Sequence, residues 1–154
     1  MKKRVIALVL ALMFSVTGIM VEDSKVCAEE SEQDVEMSEV WTDDALIGYA
    51  ESQTWGVYLL RGISVINNAG GGKIGCGGIT EAAVKCKVSC SAIVEKKVNG
   101  SWTRVTSWTT TNTSAYSATV SKTLSVASGY YYRVRCLHYA STDASSSYTD
   151  GLWM

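Results

Sequence analysis

"SAIVEKKVNGSWTRV", residues 91 to 105, decides the fold. Asn99 and Gly100 both tolerate positive φ, which a two-residue type I′ hairpin turn requires. With these two at the turn, pairing follows by counting outward. Val98 faces Ser101, Lys97 faces Trp102, Glu95 faces Arg104 and Val94 faces Val105. Side chains alternate between the two faces of a strand. One face then carries Val94, Val98 and Val105 and continues back through Ala92, Cys90, Val88, Cys86 and Val84. Lys96 is the exception on that face, close enough to the turn to stay wet. The other face carries Lys97 over Trp102 and Glu95 beside Arg104. Such cross-strand pairs are worth ~0.2–1 kcal/mol each and chiefly fix register. The valine and cysteine face is the core side.

Residues 56 to 154 continue in short alternating runs divided by Gly, Ser, Asn and Thr clusters, with no long stretch at helical spacing. That pattern predicts an antiparallel all-β domain. The chain has no proline, so its turns rely on Gly and Asn, and the run "NNAGGGKIGCGG" (67–78) is expected to turn the chain. It is not a phosphate-cradling loop, because GxxxxGK[ST] is absent and no helix follows. A further strand is expected from Tyr116 to Val126, with Tyr116, Ala118, Val120, Leu124 and Val126 on one face. Lys122 interrupts that face, at a strand end or reaching water along its stem.

"GYYYRVRCLHYA" (129–140) carries the single histidine of the chain. Tyr130, Tyr132, Val134, Cys136, His138 and Ala140 share one face; Tyr131, Arg133, Arg135, Leu137 and Tyr139 share the other. The first set holds the valine and the cysteine and points inward. His138 then lies in a core-facing row, where a histidine serves as a hydrogen-bonded structural group rather than a catalyst.

The N-terminus reads as a secretory signal. Lys2, Lys3 and Arg4 precede an apolar run from Val5 to Val21, and Val26-Cys27-Ala28 supplies the small residues of a cleavage site. Cleavage is expected after Ala28. A membrane anchor is the competing reading, but the run is near the ~17-residue lower limit for a spanning helix. The expected organisation is a signal peptide over 1–28, an acidic flexible leader over 29–54 and a β domain over 55–154. The mature product is then secreted and makes no stable membrane insertion.

Charge is divided along the chain. Residues 29–51 hold nine acids and no Lys or Arg; residues 52–154 hold ten bases and four acids, a net +6. The acidic segment is expected to act as a solvated spacer, with a short helix at Asp43–Ala50 as its one structured part. A shielding pro-region is the sharper alternative.

Loss of Cys27 with the signal leaves Cys76, Cys86, Cys90 and Cys136, an even number in an exported chain and hence two expected disulfides. Cys86 and Cys90 are too far apart on one extended strand, about 13 Å against a limit of about 7 Å. Two pairings stay open. One joins Cys90 to Cys136 and Cys76 to Cys86 across a turn at Ile79–Ala83. The other joins Cys86 to Cys136 and Cys76 to Cys90. Either bridge from an early strand to the Cys136 strand is in the style of an immunoglobulin-like β-sandwich, although the tryptophan and tyrosine hallmarks of that fold are out of place.

Catalytic chemistry is poorly represented. There is no GxSxG and no HExxH, and the domain's acids are Glu81, Glu95, Asp143 and Asp150. Asp143 with Asp150 is the pair left for glycoside hydrolysis. No metal site or cofactor is expected, and no nucleic-acid motif is present. Trp102 and Trp108, placed on one face with Arg104, point instead to binding: exposed aromatics stack on sugar rings and arginine adds hydrogen bonds. The +6 balance suits an anionic cell-wall polymer or an acidic glycan. A secreted antimicrobial or toxin-like protein and a hydrolase with an unrecognised site are the alternatives.

"GYYYRVRCLHYA", "VEKKVNGSWTRVTSW" and the closing "SYTDGLWM" resemble an uncharacterised family of small secreted proteins of Gram-positive gut bacteria. The resemblance covers roughly Gly56 to Met154. It implies secretion and a β-rich fold, and it implies no activity.

Overall fold

The computed structural model describes residues 32–50 and 56–154. The expected signal segment 1–28 lies outside them. Apart from one short helix the regular structure is antiparallel sheet, as the alternation predicts. In chain order the elements are β1 (Glu32–Asp34), α1 (Met37–Val40), β2 (Leu46–Tyr49), β3 (Leu59–Gly70), β4 (Lys73–Val98), β5 (Ser101–Ser125), β6 (Tyr131–Ala140), β7 (Asp143–Tyr148) and β8 (Leu152–Trp153). No helix among the described residues is long and apolar enough to cross a membrane.

Two of the tight turns follow from residues that accept positive φ. Asn99 (φ 50°) and Gly100 (φ 82°) join β4 to β5, with Val98 opposite Ser101. Gly71 (φ 60°) and Gly72 (φ 74°) join β3 to β4, with Gly70 opposite Lys73. Positive φ at both central residues matches the twist of the flanking strands. The rest of the glycine run does not turn: Gly75, Gly77 and Gly78 lie inside β4. Gly78 is there for close approach. A Cβ on it would collide with the Cys136 sulfur and lie 3.0 Å from the Cys90 sulfur and 2.9 Å from the Ile63 carbonyl oxygen.

The β4–β5 hairpin is long and sharply bent. The first part of β4, through Ala82, pairs with β3; its later part, Val88–Lys96, pairs with β6. Between them Glu81 opposes Ser117 and Cys86 opposes Ala115, so four β4 residues face one β5 residue. Extra residues on one strand bend it. Beyond the bend β4 returns along itself, and the Thr80 hydroxyl donates to the Ser89 carbonyl at 3.0 Å. The two halves close on one core that includes Ile66, Ile74, Cys76, Val88, Cys90, Val94, Leu124 and Val134. The expected turn at Ile79–Ala83 is therefore a bend within one continuous strand.

A second correction concerns register. Lys97 opposes Trp102 and Glu95 opposes Arg104 as counted, but Val94 opposes Thr106, not Val105. Val105 is a bulge residue, and one extra residue reverses the inward and outward sets beyond it. From Thr106 to Asn112 the even-numbered side chains of β5, Trp108 among them, share the face of Val94 and Ala92.

The third correction is the leader. Residues 46–49, expected within a helix, are β2, and Leu46 pairs with Ile66 and Tyr49 with Ile63. Val40 is fully buried against Ile63 and Val65, with Val35, Met37, Ala45 and Ile47 packed around them. The described part of the leader is thus built into the fold: its apolar positions cover the outer face of β3 while its acids stay in water. Val40→Ala should lower unfolding stability by about 1.5–3 kcal/mol, the value of a fully buried valine side chain. Urea denaturation measures this, and a change under about 0.5 kcal/mol, as at a surface site, would show the leader to be a mere spacer.

Candidate functional site

The outward face of β5, β4 and β6 near the Asn99–Gly100 turn carries a strip of cations and rings. Trp102 is its centre. The Arg133 guanidinium lies 4.4 Å from the Trp102 ring centroid and the Lys97 ammonium 5.6 Å from it. Arg133 also stands 5.5 Å from the Tyr148 ring. Tyr131 and Trp153 meet edge to face at 4.9 Å, because β8 pairs Trp153 with Tyr131. Tyr131, Tyr148 and Trp153 are 46%, 62% and 57% exposed. An aromatic group of this kind is large for a solvent face, and contiguous exposed apolar surface marks an interaction site.

Glu95 lies beneath this strip. It is nearly buried and pairs with Arg133 at 2.7 Å, with Arg135 Nε a further 3.6 Å away. The expected Glu95–Arg104 pair does not form: Arg104 donates to Ser107 instead. The reason is β6, which lies on the other side of β4 and brings two arginines to Glu95. Among the described residues Arg135 Nε is a buried donor without a hydrogen-bond acceptor. Lys97 and Arg104 add two further cations to the strip.

Trp108 does not belong to this face. The Val105 bulge places it on the opposite side, half-buried and packed against the main core. Its indole Nε1–H donates to Glu32 Oε2 at 2.7 Å, and the Thr106 hydroxyl donates to Glu32 Oε1 at 2.9 Å. Lys122 lies 5.7 Å from the Trp108 ring and pairs with Asp34 at 2.9 Å. The Trp108 hydrogen bond is the chief reason that the Glu32 carboxyl is held below its ordinary range.

The groups weighed for catalysis make close structural contacts. His138 is fully buried. Thr80 already donates its hydroxyl proton to Ser89, so at 2.8 Å it accepts from His138 Nδ1–H. Nε2 then accepts from the Ser147 hydroxyl, also at 2.8 Å. The Asp143 carboxylate accepts the backbone N–H groups of Leu59 (3.0 Å) and Tyr58 (2.7 Å), which hold its pKa below the ordinary value. It clasps the start of β3. No group of three or more His, Cys, Asp or Glu side chains among the described residues could hold a metal ion.

The four described cysteines, Cys76, Cys86, Cys90 and Cys136, carry free thiols. Cys76 and Cys86 sit ten positions apart on β4, on the order of 20 Å or more at strand rise, so their expected bridge has no geometry to form. Cys86 also lies six positions along β4 from Ala92, the register partner of Cys136, which removes the alternative Cys86–Cys136 bridge. Cys76 is buried and donates to the Lys122 carbonyl at 3.4 Å; burial pushes its thiol far up. Cys90 and Cys136 are different. Cys90 opposes His138, two positions from Cys136, so the two are diagonal neighbours on one face. Their thiol contact pulls Cys90 down and pushes Cys136 up.

Sequence reasoning missed Arg133, Tyr131, Tyr148 and Trp153 as site residues. The signal was present, since alternation already placed Tyr131 and Arg133 outward; what was lacking was the pairing that sets β6 beside the Trp102 hairpin.

No family model matches the chain, and no curated protein is similar to it. A solved structure that is similar, the solution structure of R. palustris CsgH, shares 16% identity over 69% of this chain and 91% of that one, with a TM-score of 0.38.

The depressed Glu32 value sets a pH dependence. A carboxyl whose folded pKa lies below its unfolded value, ~4.3, contributes stability that is full above that value. The contribution fades as pH falls through the folded pKa. The Trp108 indole N–H resonance should therefore hold steady from pH 7 to 5 and move between pH 4.5 and 2; an unmoved resonance would mean that Glu32 is not its acceptor.

Proposed function

We propose that this is a secreted, non-catalytic module that binds an anionic polymer of the cell wall or an acidic extracellular glycan through the Trp102 face. The carrying observation is the stacked Arg133–Trp102 unit at 4.4 Å, set among exposed tyrosines and a tryptophan with Lys97, Arg104 and Arg135 around it. A ring takes the apolar face of a sugar, and arginines take carboxylate or phosphate in two-pronged fashion. Pre-stacking matters energetically: Arg133 is held by Glu95 and Trp102 before ligand arrives, so less side-chain entropy is lost on binding. The +6 balance beyond residue 51 adds a longer-range attraction.

The architecture that accompanies this reading is a two-layered β-sandwich, immunoglobulin-like in style. Its support is the return of the bent hairpin on itself around a single core. A Cys90–Cys136 disulfide would close it after export. Diagonal neighbours on paired strands have Cα atoms ~7–8 Å apart, just beyond the usual disulfide range. Closure therefore needs a small strand shift, and each thiol passes one electron and one proton to a disulfide-carrying oxidant. The signal-like N-terminus and the resemblance to exported proteins support secretion.

Two experiments test the proposal. Mature chain should be retained on sacculi carrying teichoic acid and released steeply by salt. Trp102→Ala and Arg104→Gln should each weaken retention about three- to tenfold, the scale of a cation–π or charged contact; retention indifferent to salt and to both substitutions would exclude this face. Thiol titration of exported protein should find two reactive groups after unfolding, and reduction should cost about 2–4 kcal/mol. Four thiols in the exported protein would exclude the bridge.

A further inference from the structure

From the outer edge of β5 we infer that a second site, built by Trp108, Thr106 and Lys122, receives an extended acidic peptide from a partner protein, with β1 as its built-in occupant. The inference is independent of the Trp102 face, which lies on the other side of the sheet.

The receptor consists of donors converging on one carboxylate. Trp108 Nε1–H and the Thr106 hydroxyl each donate to a different oxygen of Glu32, at 2.7 and 2.9 Å. The Lys122 ammonium is 4.0 Å from Glu32 and 2.9 Å from Asp34. Two carboxylates at alternate positions of an extended strand are thus read together, as side chains two apart on one face must be. The backbone is read too: Glu32, Gln33 and Asp34 pair antiparallel with Leu124, Thr123 and Lys122, and the Ser121 hydroxyl donates to the Val35 carbonyl at 2.6 Å. Pairing with an open edge combined with side-chain pockets is the chemistry of strand addition.

The occupant is held weakly enough to be exchanged. β1 is three residues long and all three are exposed. It covers only Lys122–Leu124, and among the described residues no other strand pairs with the outer edge of β5. A groove of about 540 Å³ continues beside it, lined by Trp108, Thr109, Thr110, Thr119 and Ser121 and on its near side by Asp34 and Val35 of the leader. Its hydroxyls match a peptide backbone longer than β1, and Lys122 with the indole N–H sets the preference for acids. A longer acidic strand therefore makes every contact that β1 makes and adds those of the groove.

The test uses the full mature chain and a fluorescein-labelled peptide EESEQDVE, the sequence of residues 29–36, read by polarisation. Wild type should bind it weakly, because the site is filled. Glu32→Ala with Asp34→Ala should bind it about tenfold tighter, since several charge-assisted contacts become free. Adding Trp108→Phe and Lys122→Gln to that variant should return binding to the wild-type level or below. Trp108→Phe keeps a ring in the core while removing its N–H. A peptide with every Glu and Asp changed to Gln or Asn should not bind. In unmodified wild type, excess acidic peptide should shift the Trp108 indole N–H resonance, a readout that needs no variant to fold. The inference is overturned if the opened variant binds no tighter than wild type, if the amide peptide binds equally, or if the indole resonance stays fixed at saturating peptide. Concentration-dependent dimerisation that the Glu32/Asp34 variant loses would assign the edge to a second copy's leader and overturn it likewise.

Discussion

At Gly78 the backbone of β4 runs directly against the sulfurs of Cys136 and Cys90, with room for a hydrogen and nothing more. A similar contact occurs at Gly62, where a Cβ would collide with the His138 ring. These approaches let the β3 side of the bent hairpin lie on the β6 side. The bend at 82–87 brings the halves face to face, but only the missing side chains let them close to packing distance. The buried polar groups depend on the same closeness. Thr80 reaches His138 because the strands lie close there, and His138 reaches Ser147 from the other ring nitrogen. A histidine buried without both partners would leave polar atoms unpaired at a cost of about 1–3 kcal/mol each. The network therefore fixes how these strands align as well as satisfying its own members.

The acidic leader packs against part of this arrangement. β3 is covered on one side by the main core and on the other by Val40, Met37 and Ile47. That explains its unbroken run of buried residues, Gly62 to Asn67. A strand buried on both faces shows no alternation, whereas β6, with one face in water, alternates cleanly.

How much of this was legible can be argued residue by residue. The turn at Asn99–Gly100 and the inward set from Tyr132 to Ala140 follow from local chemistry and hold in the structure, while Tyr130 lies before β6 and is exposed. The misplacement of Trp108 has a single cause: the bulge at Val105 leaves no local mark, because valine suits either face of a strand. The leader failed for another reason. Its acids dominate composition, so Val35, Met37, Val40, Leu46 and Ile47 read as scattered when each has a partner across β3 or β4. Long-range pairing decides such positions, and composition does not contain it. The Trp102 site was half legible. Its tryptophan and Arg104 were visible on the hairpin, while Arg133 and Tyr148 join it only through the β4–β6 and β6–β7 pairings.

The two tryptophans of β5 show how much one inserted residue can do. Without the bulge, Trp102 and Trp108 would share the outer face with the arginines, and the leader's carboxylates would meet one broad basic surface. With it, Trp102 turns toward Arg133 and Lys97, and Trp108 turns toward Lys122 and Glu32. Each indole then has its own cations. The pairing of Glu32 and Asp34 with Lys122 is confined to the β5 edge, where β1 neutralises its surroundings. The outer face gathers Arg104, Arg133, Arg135 and Lys97 around Trp102 and Glu95. Acid in the leader and base in the domain do not cancel as a whole, because the bulge has sorted them onto different surfaces.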